Sequence, residues 1–101
     1  MDKRRGATRK SIDIFINKYL AGYPYLCRAL DVSTSGIRVE TFAEPVLGTD
    51  RYSLALRLPG EEDTLWIWAK PVRVTGREQS LEFLSTSAPV HERLSRYISL
   101  S

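Results

Sequence analysis

The stretch Tyr25-Leu26-Cys27-Arg28-Ala29-Leu30-Asp31-Val32-Ser33-Thr34-Ser35-Gly36-Ile37-Arg38-Val39-Glu40-Thr41 decides the fold. Tyr25 to Val32 reads as one strand and Gly36 to Thr41 as the next, and the Ser33-Thr34-Ser35 link between them is tight and polar, as a turn between antiparallel neighbours is. The single cysteine, Cys27, cannot form an internal disulfide, and with Leu26 and Leu30 beside it reads as a small core hydrophobe without a chemical role.

The same punctuation continues in both directions. Toward the N-terminus, Ser11 to Tyr19 places Ile12, Ile14 and Ile16 on one face at a period of two, with Phe15 opposite, which is a half-buried strand. Ala21, Gly22 and Pro24 mark the turn that follows. Toward the C-terminus, Glu44 to Asp50 contains Pro45 and Gly48 and reads as a loop. A fourth strand spans Arg51 to Leu58, where Tyr52, Leu54, Leu56 and Leu58 alternate with polar or small residues, and Pro59-Gly60 ends it. The acidic Glu61-Glu62-Asp63 segment leads to Leu65 through Val74, with Leu65, Ile67 and Ala69 on one face and Trp66 and Trp68 on the other. Pro71 within this strand predicts a bulge or an edge, because proline cannot donate to the ladder. Gly76 closes a hairpin and Leu81 to Leu84 is a short sixth strand. In the tail, Val90, Leu94, Tyr97 and Ile98 share one side of a helix, Glu92, Arg93 and Arg96 spread around the other, and Pro89 suits the first turn. The expected fold is all-β: a six-stranded antiparallel β-barrel with a C-terminal α-helix packed on it or across an open end. Closure removes the exposed edges that a small domain cannot leave bare.

Length and composition agree with one such domain. The chain has 101 residues, 43% hydrophobic and 27% charged, enough for one core and too few for two. Its apolar runs are far shorter than the roughly 30 Å hydrocarbon layer requires, so membrane insertion is not expected. The basic N-terminus lacks an apolar h-region, so a secretory signal is not expected and the cytosol is the default compartment. The formal charge is +3, but Lys3, Arg4, Arg5, Arg9 and Lys10 against Asp2 concentrate +4 in the first ten residues. The expected organisation is a flexible basic arm, residues 1–10, on a barrel-plus-helix domain, residues 11–101. A cationic end of this kind favours an anionic partner there.

Two motifs stand out: Arg5-Gly6-Ala7-Thr8-Arg9, of the form RxxxR, just before the first strand, and Asp31-Val32-Ser33-Thr34-Ser35-Gly36, of the form DxSxxG, joining the second and third. Each alone is weak. Their order on six short strands, with Leu56-Arg57-Leu58-Pro59, the hairpin at Gly76 and the terminal helix, resembles the PilZ domain family over nearly the whole chain. One departure is Ser80 in Ser80-Leu81-Glu82-Phe83, where many members have a glycine shortly before the phenylalanine.

The resemblance implies a receptor for cyclic di-GMP, in which Arg5 and Arg9 contact phosphates and guanines while Asp31, Ser33 and Gly36 support the base. The residue types suit those tasks. A guanidinium is planar and forked, able to reach guanine O6 and N7 together, pair with a phosphate or stack on a purine. Asp31 can either accept from guanine N1 and N2 hydrogens or orient an arginine; Ser33 can donate or accept; Gly36 permits close backbone approach and unusual φ. In similar proteins an arginine at the position of Arg4 goes with an intercalated pair of cyclic di-GMP molecules rather than one. Residues 1–10, nearly devoid of apolar side chains, are expected to be mobile without ligand and to fold on the barrel when it binds, presenting a changed surface to an unidentified downstream protein.

An enzyme is not expected. His91 is the only histidine and lies far in sequence from Cys27 and the serine cluster; the ligands of a zinc site and a Gly-rich phosphate loop are both missing. No resident cofactor or metal is implied, and Glu61 and Glu62 read as solvated. Trp66 and Trp68 lie either beneath the helix or on a partner-binding surface; the second case leaves open a PilZ-like interaction module with little nucleotide affinity. Single-stranded nucleic acid is not the expected partner, since the basic residues cluster on the arm and the tryptophans neighbour acids.

Overall fold

In a computed structural model that describes residues 8–42 and 51–100, β1 (Lys10–Leu20) turns Ile12, Ile16, Lys18 and Leu20 inward at a period of two and leaves Phe15 exposed. It pairs with β2 (Tyr23–Val32) through a two-residue turn, Ala21 and Gly22, at φ 49° and 86°. Two left-handed residues give the turn whose twist matches a hairpin. Pro24, expected in that turn, instead belongs to β2 and pairs with Tyr19.

β3 (Gly36–Thr41), β4 (Tyr52–Leu56), β5 (Leu65–Thr75) and β6 (Glu78–Ser85) complete a closed barrel in the order β1-β2-β3-β6-β5-β4, all neighbours antiparallel. The expected strand through Leu58 stops at Leu56. The Pro59-Gly60 turn, in which Glu61 N donates to Leu58 O at 3.0 Å, draws the Leu58 backbone from the ladder while its side chain stays buried. β6 starts earlier than its apolar residues suggest. Gly76, at φ 61°, and Arg77 form a tight turn that pairs Thr75 with Glu78, so the polar run Glu78-Gln79-Ser80 enters the ladder without a hydrophobic pattern. The shift expected at Pro71 is present, between Pro71 and Arg73. The expected loop 44–50 lies outside the described residues.

The barrel interior is a single core in which Ile37, Val39, Leu54, Ile67 and Leu81 are buried, and Cys27 with them. At one end the inward row of β1 continues past Ile16 to a charge: Lys18 is 0% exposed, its Nζ donating to Gln79 Oε1 at 2.6 Å and lying 4.2 Å from the Tyr52 ring centroid. A buried ammonium needs such partners, because its desolvation is otherwise costly.

α1 (Ala88–Ser99) crosses the other end. Ser87 caps it by accepting from Val90 N at 3.3 Å, Pro89 sits in its first turn, and Leu94 and Tyr97 join the barrel core with Val90 and Ile98 packed beside them. Arg93 reaches Glu61 and Asp63 at 2.5 and 3.2 Å, and Lys10 Nζ donates to the carbonyls of Tyr97 and Leu100 at 3.1 and 2.8 Å. Glu61, expected to be solvated, is therefore an anchor for the helix. The tryptophans are not beneath it: Trp66 and Trp68 are 58% and 52% exposed on the outer wall, where Tyr19 packs on Trp66 at 5.5 Å between ring centroids.

The tightest constraint is at the start of β3. A Cβ on Gly36 would lie 2.5 Å from the carbonyl oxygen of Leu81, and Ser35 O accepts from Phe83 N at 2.9 Å beside it. Gly36 is required for that approach and not for an unusual φ. Gly36→Ala is expected to destabilise the fold by about 1–3 kcal/mol through the forced separation of β3 and β6, read as a lower urea midpoint. Leu94→Ala, which leaves the helix without its fully buried anchor, is expected to cost about 2–5 kcal/mol in the same measurement.

Candidate functional site

The site grows from the end of β2. A register shift between Ala29 and Asp31 lets Ala29 and Val32 both face inward while Asp31 between them faces out. Asp31 stands opposite Arg38 of β3, which alternation turns outward between buried Ile37 and Val39. Arg9, just before β1, comes from the other side. The carboxylate takes both: Arg9 Nε donates to Oδ1 at 2.7 Å and Arg38 Nε to Oδ2 at 2.8 Å. Arg38 Nη1 continues to Glu78 Oε1 of β6 at 2.7 Å.

The Asp31 side chain is only 13% exposed, whereas those of Arg9, Arg38 and Glu78 are 43%, 39% and 49% exposed. The chain of charges is thus pinned at its carboxylate and open at its guanidinium edges. The hydrogen bond to Asp31, and after it that to Glu78, holds the Arg38 guanidinium above its ordinary pKa, so it is a permanent cation. Of the two roles the sequence left open for Asp31, the geometry displays the orientation of arginines.

The turn beside it is built by Ser33. Its Oγ accepts from the backbone N–H groups of Ser35 and Gly36, both at 3.1 Å, and its own N–H donates to Gly36 O at 2.9 Å. Ser33 is fully buried, so it acts on the site through the turn and presents no hydroxyl to solvent. Gly36 acts in the same way, by letting the turn lie on β6. Together they shape an open groove of about 600 Å³ lined by Arg9, Ser35, Gly36, Arg38, Val72 and Glu82 among others. That volume is of the order of small-molecule sites. Two guanidinium groups beside an apolar wall at Val72 suit a ligand that is both planar and anionic.

Of the sequence-derived site residues, Arg9, Asp31, Ser33 and Gly36 are brought together here, and Arg4 and Arg5 lie outside the described residues. Arg38 and Glu78 were missed. Arg38 had a signal, since a period of two from Ile37 and Val39 turns it outward next to the motif. Glu78 had none, because it enters through the pairing of β6 with β3. Among the described residues no three His, Cys, Asp or Glu are grouped to hold a metal ion, and no helix is long and apolar enough to cross a membrane.

A family model described as the PilZ domain matches residues 3–100. No curated protein matches the chain in sequence. Among solved structures, the inhibitor of motility MotI/DgrA of Bacillus subtilis is 20% identical with a TM-score of 0.79, covering 96% of this chain and 50% of its own, so the present chain spans about half its length. The PilZ domain of YcgR from Escherichia coli, solved with c-di-GMP, is 20% identical with a TM-score of 0.72, covering 95% and 89%. The PilZ domain of CeSA from a cellulose-synthesizing bacterium is 17% identical with a TM-score of 0.69, covering 89% and 93%. With the family model matched from end to end of the barrel and helix, and the same architecture in these structures, the chain belongs to the PilZ domain family.

Proposed function

We propose that the chain is a non-catalytic receptor for cyclic di-GMP, an adaptor whose N-terminal arm changes conformation on binding and thereby signals to a partner protein in the cytoplasm. The observation that carries this reading is the Arg9–Asp31–Arg38 cluster on the rim of an open groove formed by the DxSxxG turn. A guanine face can lie on the guanidinium planes and the apolar wall, while phosphates take the outward guanidinium edges. Arg5 and Arg9 are the arm's ligand cations, and Asp31 holds Arg9 in place. Ser33 and Gly36 contribute by holding the turn. Arg4 supplies the charge for a second, intercalated nucleotide. The c-di-GMP bound in the YcgR structures supports the choice of ligand.

A second reading is favoured by one observation: the exposed Trp66 and Trp68, with the half-buried Tyr19 packed on Trp66, form an aromatic wall on the outside of the barrel, with Arg51 5.5 Å from the Trp68 ring centroid. Such a wall suits a protein partner, and a PilZ module with little nucleotide affinity would act through it.

Isothermal titration with cyclic di-GMP, with GTP as control, separates the two. Saturable binding is expected for the wild type. Arg5→Ala and Arg9→Ala are each expected to lose roughly 1.5–3 kcal/mol, about tenfold to a hundredfold in affinity. A stoichiometry near two, falling to one in Arg4→Ala, is the expected sign of the intercalated pair. Absence of wild-type binding would refute the receptor reading and leave the aromatic wall as the functional surface. Since Lys10 already belongs to β1, amide exchange of residues 1–9 is expected to slow on binding; equal rates with and without nucleotide would refute the arm transition.

A further inference from the structure

The groove has a charge problem that its residue types alone do not reveal. Arg9 and Arg38 are both matched by carboxylates, Asp31 and Glu78, and Glu82 adds another acid to the lining, 4.0 Å from Lys70. The described part of the site therefore offers little surplus positive charge to a dianionic nucleotide. For these described residues to bind a phosphate beyond what the arm's cations take, one of the existing ion pairs would exchange partners. Asp31 is the poor candidate, since it is 13% exposed and its two oxygens already hold Arg9 and Arg38 in position; leaving it unpaired would strand a largely desolvated anion. Glu78 is the good one. Its side chain is 49% exposed, so water can take over its carboxylate, and an ion pair of that exposure is weak to begin with.

The two bonds of Arg38 fit such an exchange. Nε holds Asp31 and Nη1 holds Glu78, so the guanidinium can keep its anchor and turn its terminal edge from one oxyanion to another. A phosphate at that edge would receive a forked, charge-assisted contact, stronger than the pair it replaces.

We infer that Arg38 is a further ligand-binding residue of the groove, held in the ligand-free chain by Glu78, and that Glu78 is a competitor whose release sets the affinity for the nucleotide phosphate. This rests on the cyclic di-GMP reading above. Glu78 lies outside both motifs, on a strand that reaches the site only through the β3–β6 pairing, so it can tune affinity without altering either motif.

The test is a double-mutant cycle titrated with cyclic di-GMP: wild type, Glu78→Gln, Arg38→Ala and the double variant, each checked for folding by thermal melting. Glu78→Gln is expected to tighten binding about fivefold, the size of an exposed ion pair, and Arg38→Ala to weaken it about tenfold or more. Glu78→Gln added to Arg38→Ala is expected to change nothing. If Arg38→Ala does not fold, Arg38→Lys takes its place, where loss of the fork is expected to weaken binding and shrink the Glu78→Gln effect. An unchanged or weakened affinity in Glu78→Gln would mean that Glu78 braces the site and would overturn the inference. Equal tightening in both backgrounds would assign the effect to through-space charge and overturn it as well. In either case wild-type binding keeps the receptor reading intact; no wild-type binding overturns that reading and the inference together.

Discussion

The approach of the Gly36 backbone to the Leu81 carbonyl is the constraint on which the molecule turns. β3 and β6 are far apart in sequence, and their pairing is the crossover that joins the β1-β2-β3 meander to the β6-β5-β4 meander on one side, as β1–β4 does on the other. A side chain at position 36 would hold the two strands apart where β6 also receives the Ser35 carbonyl. Closing this seam brings Glu78 within reach of Arg38 and Ser35 and Gly36 against the groove wall. Barrel closure and site assembly are thus one event, which is why a motif glycine here answers to packing as much as to any ligand.

The electrostatics follow from that closure. Asp31 would be an unremarkable turn acid on an isolated hairpin, but in the barrel it is flanked by β1 and β3 and receives a guanidinium from each side. Fixing two long cations on one carboxylate removes part of the rotamer freedom that a ligand would otherwise have to remove. Preorganisation and neutralisation are then opposed: the acids that position the arginines also reduce the positive charge on offer. The division of labour between a shielded acid that holds and an exposed acid that yields reconciles them.

The helix connects this site to the rest of the chain. By burying Leu94 and Tyr97 in the barrel end and engaging Lys10, Glu61 and Asp63, it joins the first residue of β1 to the β4–β5 loop. The segment entering β1 is therefore held at Lys10, one residue from Arg9, which lines the groove. Tyr19, Trp66 and Trp68 form an aromatic cluster on the outer wall of the barrel, the tryptophans on the outward face of the strand whose Val72 lines the groove.

The strands, their turns and the helix were legible in the sequence because each is written in local periodicity: the alternation of Ile12, Ile14 and Ile16, the DxSxxG turn, the helical spacing of Leu94 and Ile98. The resemblance of the two motifs and their order to a known family was legible for the same reason. Strand ends were less so. Glu78 to Ser80 pair as strand with no apolar pattern, because a tight turn at Gly76 imposes the register. Only the tertiary structure decided the partners. Asp31 meets Arg9 and Arg38, Arg38 meets Glu78, Lys18 finds Gln79 and Tyr52 in the interior, and the tryptophans face outward instead of lying under the helix. The sequence by itself determined which residues point inward where the period of two is unbroken, as in β3 and β4, but not where a register shift interrupts it, as between Ala29 and Asp31. Which strands lie side by side, and so which charges meet, depends on how a closed barrel matches distant segments, and no local pattern encodes that.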